Sequence, residues 1–173
     1  MKKWIGALCS GLAGVLSLVF LAIPAFSFDM GLGGKESYSG WKLLTDSDIA
    51  KADYTAVSWY RIFAWILVVL AIVLIVVAVL QILANLNVVK MPAIVDTIAK
   101  FALIALVVVS ILALIANFGI RSEMLDELKE MGAPKEYIKE YGKALSIGAS
   151  LWIVAGVNLV AAVCANLFAK KAK

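Results

Sequence analysis

The chain has 173 residues, of which 64% are apolar and 16% are charged, and its formal net charge is +4 at pH 7. Soluble domains are about 45 to 50% apolar, so this composition argues against a soluble globular protein. Histidine is absent, which removes the commonest general base and the commonest nitrogen ligand of metals. Only two cysteines occur. We therefore predict neither a cofactor nor a metal site, and we expect no enzyme activity.

Four stretches of the chain contain no charged residue: 4–28, 62–89, 101–120 and 144–169. A hydrocarbon core about 30 Å thick needs roughly 20 helical residues, so each stretch is long enough to span a bilayer. The sequence predicts an all-α fold, a four-helix transmembrane bundle in a single membrane domain, 1–173. The predicted spans are about 4–28, 60–86, 96–120 and 144–168, with outer loops at about 29–59 and 121–143.

The first apolar stretch also has features of a secretory signal. Lys2 and Lys3 precede it, and Ala25-Phe26-Ser27 resembles a small-residue cleavage site. The stretch is longer than the roughly 7 to 15 apolar residues of an ordinary signal peptide, so we predict a signal anchor that is retained. A cleaved signal peptide is the alternative.

Basic residues indicate the orientation. The segments 1–3, 86–100 and 169–173 hold seven lysines and one acid, whereas the other two connections mix nine basic residues with eleven acids. Basic density beside spans marks the cytoplasmic side, which places both termini in the cytoplasm and favours the plasma membrane. The tail 170–173 also resembles a dilysine retrieval signal, so the endoplasmic reticulum is the alternative in a eukaryote.

The first outer loop divides into two parts. Its glycine-rich part, 30–40, is typical of a flexible or tightly turned loop. Thr45 to Asp48 has the form of a capping box, which predicts a helix over 48–61 that leads into the second span. Trp41, Trp59 and Tyr60 are candidates for contact with the outer interface or with a partner, because such rings can face lipid and water together.

The connection between the second and third spans is short. Pro92 suits the first turn of the third helix, where its missing N–H has no cost, and Asp96 is spaced to pair with Lys100. Spans joined by so few residues are expected to be antiparallel neighbours.

The second outer loop predicts a helical hairpin extension between helices 3 and 4. Ser122 can cap its first arm, Gly132-Ala133-Pro134 breaks the helix, and the second arm is expected to continue into the fourth span. Its apolar stripe either covers the bundle or binds a partner or a second copy. The candidates on this stripe are Leu128, Met131, Tyr137 and Tyr141.

Small residues in the first and fourth spans are candidates for close helix packing, because contact inside a membrane depends on small side chains and interhelical hydrogen bonds. A membrane-buried amide such as Asn158 needs a hydrogen-bond partner. We expect this packing within one chain, with packing between chains as the alternative. The packing candidates are Gly11, Gly14, Gly148, Ala155, Asn158 and Ala162.

Cys9 and Cys164 are expected to be buried thiols, with palmitoylation as the alternative.

The plan of two inner termini, a larger first outer loop and a smaller second one resembles the tetraspan group that includes the claudins and their myelin-protein relatives. Claudins carry a Trp-Gly-Leu-Trp signature followed by two cysteines in the first outer loop. This chain has Ser39-Gly40-Trp41-Lys42-Leu43-Leu44 and no cysteine in that loop. The resemblance therefore implies only the architecture, and no functional residue is transferred.

Three function classes fit the sequence. The first is a non-enzymatic scaffold, adhesion or accessory subunit that acts through helix packing and the outer loops. The second is an oligomeric channel or pore subunit, for which few polar lining residues are available. The third is a small transporter or membrane enzyme, which the charge-free spans disfavour. Expected partners are the lipid bilayer and other membrane proteins or copies of this chain, with no nucleic acid.

Overall fold

The computed structural model describes residues 2–19, 21–29, 34–45, 54–90 and 92–170. These residues are mostly helical and form six helices and three short strands. In chain order the elements are α1 (Lys2–Val19), β1 (Pro24–Asp29), β2 (Lys35–Ser39), α2 (Gly40–Thr45), α3 (Thr55–Asn85), α4 (Ala93–Glu130), α5 (Lys135–Ala144), β3 (Leu145–Ile147) and α6 (Ala149–Lys170).

Four of these helices pack side by side in the cyclic order α1, α3, α4, α6, so that each contacts two neighbours. We call α1, α3, α6 and the part of α4 up to residue 120 the helical layer. Its core contains fully buried leucines, among them Leu67, Leu106 and Leu151. The strands, α2, α5 and the part of α4 from residue 121 form the outer layer.

The turn between α3 and α4 agrees with the prediction of antiparallel neighbours. The chain leaves α3 at Asn85, and Asn87 adopts a left-handed backbone conformation with φ of 58°. Asparagine tolerates this conformation better than most residues. Pro92 then forms the N-cap of α4, one residue before the first helical turn.

Two helices of the described chain, α3 and α4, are long and apolar enough to cross a membrane by length and composition. The apolar parts of α1 and α6, Trp4–Val19 and Ala149–Ala165, are shorter. Only 33% of the most apolar window of α3 is buried, and 39% of that of α4. The core helix of a soluble protein is mostly buried, so both helices present a large apolar surface to their surroundings.

The prediction of an all-α fold holds in part: the described residues are mostly helical, but the outer layer also contains a three-stranded antiparallel sheet in the order β2-β1-β3. In the central strand, Ser27 lies opposite Ser37 of β2 and opposite Ser146 of β3. The predicted first span, 4–28, is also too long. The helix ends at Val19, and β1 starts at Pro24, a residue that lacks the N–H needed to continue a helix.

The second outer loop is a helical hairpin with two differences from the prediction. Ser122 caps no helix start, because α4 continues without interruption to Glu130. Gly132, with φ of 76°, ends this arm as predicted, and α5 starts after Pro134. However, α5 does not continue into α6, because β3 lies between them and pairs with β1.

The first outer loop also differs from the prediction in part. Residues 35–39, expected in a flexible loop, form β2. Thr45 ends α2, and its hydroxyl donates to the carbonyl of Trp41 instead of capping a following helix. The remainder of the capping box with the start of the helix predicted after it, residues 46–53, and the first part of the glycine-rich segment, residues 30–33, lie outside the described residues. The next described helix, α3, begins at Thr55.

Candidate functional site

A chain of hydrogen bonds connects three helices inside the helical layer. The hydroxyl of Ser17 in α1 donates to Oδ1 of Asn158 in α6 over 3.0 Å. The amide of Asn158 donates to Oγ of Ser110 in α4 over 2.8 Å, and Ser110 donates to the carbonyl of Leu106 over 2.6 Å. Asn158 and Ser110 are fully buried. The amide that the sequence identified therefore has partners on both of its polar atoms, both within the same chain.

Small residues bring α1 close to α3. A Cβ atom added to Gly14 would lie 2.7 Å from the carbonyl oxygen of Ala71 and 2.8 Å from a side-chain carbon of Ile75. A Cβ atom on Gly11 would lie 3.4 Å from Cβ of Ala78. Both glycines therefore lie at a helix contact, and at Gly14 only hydrogen fits.

The small residues of the fourth predicted span have different positions. Ala162 is buried in α6 and Ala155 is half-buried. Gly148 is not part of a helix contact, because it lies between β3 and α6 and touches the backbone of β1. A Cβ atom on Gly148 would lie 1.8 Å from the carbonyl oxygen of Pro24.

This contact belongs to a junction at which three segments hold the start of β1. The backbone N–H of Gly148 and the side-chain amide of Asn117 in α4 both donate to the carbonyl of Ala25, each over 2.8 Å. The hydroxyl of Ser150 donates to the carbonyl of Pro24 over 3.0 Å. The junction therefore joins the sheet to α4 and α6, where the helical and outer layers meet.

A second connection holds the start of α3 against the outer part of α4. The carboxylate of Glu123 accepts from the backbone N–H of Ala56 over 3.1 and 3.2 Å, so it satisfies a free N–H in the first turn of α3. The hydroxyl of Tyr54 donates to Glu127. Burial, followed by the hydrogen bond to Glu127, raises the pKa of Tyr54 to about 12.

Arg121 holds the two arms of the hairpin together. Its Nη2 donates to the carbonyl of Gly142 in α5 over 2.5 Å. Arg121, Glu123 and Glu127 were not predicted as contact residues from the sequence. The sequence did offer one signal, because Glu123 and Glu127 are spaced to share one helix face. It did not indicate their partners, which lie far away in the chain.

The outer aromatic and apolar candidates divide into exposed and packed residues. Trp41, Trp59, Met131 and Tyr137 are between 51% and 69% exposed. Leu128 is half-buried. The exposed residues have surface available for contact with lipid or with another protein.

The other two aromatic candidates are packed. The Tyr141 ring lies 4.7 Å from that of Phe28 and 6.1 Å from that of Tyr137, and burial raises its pKa. Tyr60, expected at the outer interface, is fully buried. It lies one helical turn after Ala56, on the face of α3 that contacts α4, so the prediction of a contact surface at Tyr60 is wrong.

At the opposite end of the helical layer, Asp96 has a different partner from the predicted one. Its carboxylate accepts from the amide of Gln81 in α3 over 2.9 Å. This bond joins α3 and α4 near their connecting turn. Cys9 and Cys164 are free and half-buried.

Among the residues that the structure describes, no group of three or more cysteine, aspartate or glutamate residues could hold a metal ion. The candidate site consists of the packing contacts and the exposed outer residues described above. No protein-family model, curated protein or solved structure matches this chain.

Proposed function

We propose that α1, α3, α4 and α6 all cross one membrane and that the protein acts without catalysis, as a scaffold, adhesion or accessory subunit. Contact with partners would use the outer layer and the lateral helix faces. The proposal rests on one observation: all four helices expose apolar side chains, while serine and asparagine lie between them.

The apolar exposure extends along every helix of the helical layer. On α1, Leu8, Leu12 and Val15 recur at helical spacing and are each more than half exposed. On α6, Trp152 and Val160 are likewise more than half exposed. Monomeric soluble proteins rarely expose continuous apolar patches larger than a few hundred Å². In a bilayer the same faces contact lipid at no cost, which supports four crossings rather than two.

The length of α4 supports the position of the outer layer. Its 38 residues extend about 57 Å, well beyond a hydrocarbon core of about 30 Å. The charge-free part, 101–120, accounts for about 30 Å, and the following ten residues extend about 15 Å further. This extension carries Arg121, Glu123 and Glu127, which hold the outer layer in place.

Non-catalytic contact is the function that the exposed outer residues support. Met131 and Tyr137 lie on either side of the hairpin turn and are 69% and 53% exposed. Both are large apolar or aromatic side chains, the type enriched in protein interfaces. The hairpin turn is therefore the first region to examine for a partner.

Blue-native electrophoresis and crosslinking of the full chain in native membranes test this proposal. We expect the protein to migrate in a complex. We expect the double variant Met131→Ser with Tyr137→Ser to give a smaller amount of this complex. Ile104→Ala is the control, because it truncates an exposed residue on the lipid-facing part of α4. A lone monomer with no crosslinked neighbour would contradict the proposed role.

Accessibility of single engineered cysteines to a membrane-impermeant reagent tests the topology separately, in a background without Cys9 and Cys164. Residues 42 and 135 should be labelled from outside intact cells, and residue 90 only after the cells are opened. Labelling of residues 42 and 135 from different sides would contradict the four crossings.

A further inference from the structure

The first and last helices of the helical layer contact each other, although they are the most distant helices of the layer in the chain. In the cyclic order α1, α3, α4, α6, the other three contacts join helices that follow one another in this layer. α1 and α6 are held by packing and by the hydrogen bond from Ser17 to Asn158. A covalent bond at this contact would therefore close the ring of four helices.

Cys9 lies on the side of α1 that faces α6. Gly11 packs on Ala78 of α3, and Cys9, two residues earlier, points about 160° away from it around the helix. The two neighbours of α1 in the ring are α3 and α6. Leu8 and Leu12 are more than half exposed, whereas Cys9 is half-buried, so α6 is the helix that covers it.

Cys164 lies on the side of α6 that faces α1. Trp152 and Cys164 lie six residues before and after Asn158, so they point about 120° to either side of this residue. Asn158 points into the helical layer, and the ring of Trp152 packs edge-to-face on that of Phe118 in α4. The other side of α6 therefore faces α1. Cys164 on this side is half-buried, whereas Val163 beside it is 48% exposed.

The two thiols also lie at a similar level in their helices. Ser17 and Asn158 are hydrogen-bonded, so they mark one common level in two helices that run in opposite directions. Cys9 lies eight residues before Ser17 and Cys164 lies six residues after Asn158, which places them about 12 and 9 Å from this level in the same direction. The side chains of Cys9 and Cys164 interact electrostatically.

This arrangement fits the dimensions of a disulfide. The axes of packed helices are about 8 to 10 Å apart, and each Cα atom lies about 2.3 Å from its axis. Cα atoms on facing sides are therefore about 4 to 6 Å apart, or about 5 to 7 Å when their levels differ by about 3 Å. Disulfides join Cα atoms that are about 4.4 to 6.8 Å apart.

We propose that Cys9 and Cys164 form a reversible disulfide that joins α1 to α6 when hydrogen peroxide reaches them. The thiolate of one cysteine attacks the peroxide, whose O–O bond breaks, and a sulfenic acid and hydroxide form. The other cysteine attacks the sulfenic sulfur, so that the S–S bond forms, the S–O bond breaks and water leaves. In total two thiols lose two electrons and two protons, and one peroxide becomes two water molecules. A small cellular thiol reverses the bond by exchange.

The location of the pair makes the free thiols the resting state. Gly11 packs on Ala78 and Gly6 lies near Gln81, so this part of α1 lies beside the last turns of α3. In the proposed topology this end of the helical layer faces the cytoplasm, where thiols are kept reduced. The disulfide therefore forms only under oxidising conditions. The pairing itself does not depend on the proposed role in assembly, so it goes beyond that function.

Proteolysis of the full chain in native membranes, after treatment with dilute hydrogen peroxide, tests the proposal. Unreacted thiols are first blocked with a maleimide, and the membranes are dissolved in denaturant. Trypsin then releases fragments 4–35 and 144–170, which carry Cys9 and Cys164. We expect mass spectrometry to find the two fragments joined and to find them separate after reduction. The uncut protein should run as a monomer on a non-reducing gel.

The outcomes are distinct. An absence of joined fragments once both thiols have lost their reactivity towards the maleimide overturns the proposal. A dimer that reduction separates also overturns it, because the thiols would then join two copies instead of two helices of one chain.

The double variant Val163→Cys with Cys164→Ala is the matched control. It moves the thiol by one residue, about 100° around α6, onto an exposed position. We expect at least about tenfold less of the joined fragments at the same dose of peroxide. Equal amounts from this variant and the unchanged protein would show that the thiols are not held in a defined pair, which overturns the proposal.

Thermal unfolding in detergent tests the closure of the ring. A bond between Cys9 and Cys164 connects positions near the two ends of the chain, so it restricts the unfolded state strongly. The oxidised protein should unfold about 5 to 10 °C above Cys9→Ser treated in the same way. Equal unfolding temperatures for the joined protein and this variant overturn the proposed locking of α1 to α6.

Discussion

The helical and outer layers of this protein are stabilised by different contacts. In the helical layer, large apolar side chains face outward, and Asn158 makes buried hydrogen bonds between helices. In the outer layer, strand pairing, the Arg121 bond and the Glu123 cap hold the chain. In the proposed membrane arrangement, helix contact in lipid depends on close approach, whereas an outer layer in water depends on backbone pairing and charged hydrogen bonds.

This difference gives each layer its own sensitive positions. In the helical layer we expect the largest effects where a side chain prevents close approach. In the outer layer we expect them where the backbone of one segment is held by another. Single substitutions can test each expectation, and the largest effect is expected where the two layers meet.

Gly148→Ala should destabilise the protein most. The added Cβ atom would lie 1.8 Å from the carbonyl oxygen of Pro24, a backbone atom that cannot rotate away. We expect a loss of about 3 kcal/mol and poor accumulation of folded protein. Thermal unfolding in detergent and the yield of monodisperse protein measure this effect.

Gly156→Ala is the control for Gly148→Ala. It makes the same change within α6, but apart from the neighbouring backbone of α6 itself no atom lies within 4 Å of the added Cβ atom. Its unfolding temperature should equal that of the unchanged protein. Equal stability of the two variants would show that Gly148 does not touch β1.

Gly14→Ala tests close approach within the helical layer. The added Cβ atom would lie 2.7 Å from the carbonyl oxygen of Ala71, so α1 and α3 would have to separate. We expect a loss of about 2 kcal/mol in the free energy of unfolding. Gly6→Ala is the control on the same helix, because its nearest contact of 3.8 Å is ordinary. A smaller effect at Gly14 than at Gly6 would contradict the contact.

Asn158→Ala tests the hydrogen bonds that join three helices. It removes the bonds to Ser17 and Ser110, each worth about 0.6 to 1.7 kcal/mol in a membrane protein. We expect a total loss of about 1 to 3 kcal/mol, measured by reversible unfolding in mixed micelles. Ser17→Ala removes only one of these bonds, so it should lose only part of this free energy of unfolding. Leu159→Ala, at an exposed neighbouring residue, should change stability little.

The features predicted correctly from the sequence are those that neighbouring residues decide. Pro92 and Gly132 mark helix ends because the backbone restrictions of proline and glycine are local. Long apolar stretches likewise indicate helices whatever lies beside them.

The sheet could not be predicted in this way, because its strands are short and their partners are distant. Ser27 and Ser146 are 119 positions apart, and each strand has at most six residues. The stretch 24–28 is also apolar enough to resemble the end of a membrane helix. Pairing with β3 decides its conformation, and no local pattern around Ser146 indicates that pairing.

The Glu123 cap shows the same limit. The residue before α3, Tyr54, makes no side-chain cap bond, and the acceptor comes from another helix. Capping rules search the residues beside a helix end, so they do not find a carboxylate that is 67 positions away. Contacts between the layers are therefore the part that required the structure.

The smallest expected effect concerns the charge of the outer layer. The pKa of Tyr54 is raised to about 12, first by burial and then by Glu127. Glu127→Gln removes the charge and keeps an acceptor oxygen, so the pKa of Tyr54 should fall but stay above its ordinary value of about 10. Near-ultraviolet absorbance of tyrosinate measures this shift, as the difference between each protein and its Tyr54→Phe counterpart.

The direction of the pH dependence follows from the raised pKa. A group with a higher pKa in the folded state stabilises the protein fully below its unfolded pKa, here about 10, and this contribution disappears as the pH rises to about 12. In Glu127→Gln the stabilising contribution of Tyr54 should disappear at a lower pH than in the unchanged protein. Glu130→Gln removes a carboxylate from the same helix at an exposed position and should leave the titration of Tyr54 unchanged. An identical titration of Tyr54 with and without the Glu127 charge would show that the start of α3 is held by the Glu123 cap alone.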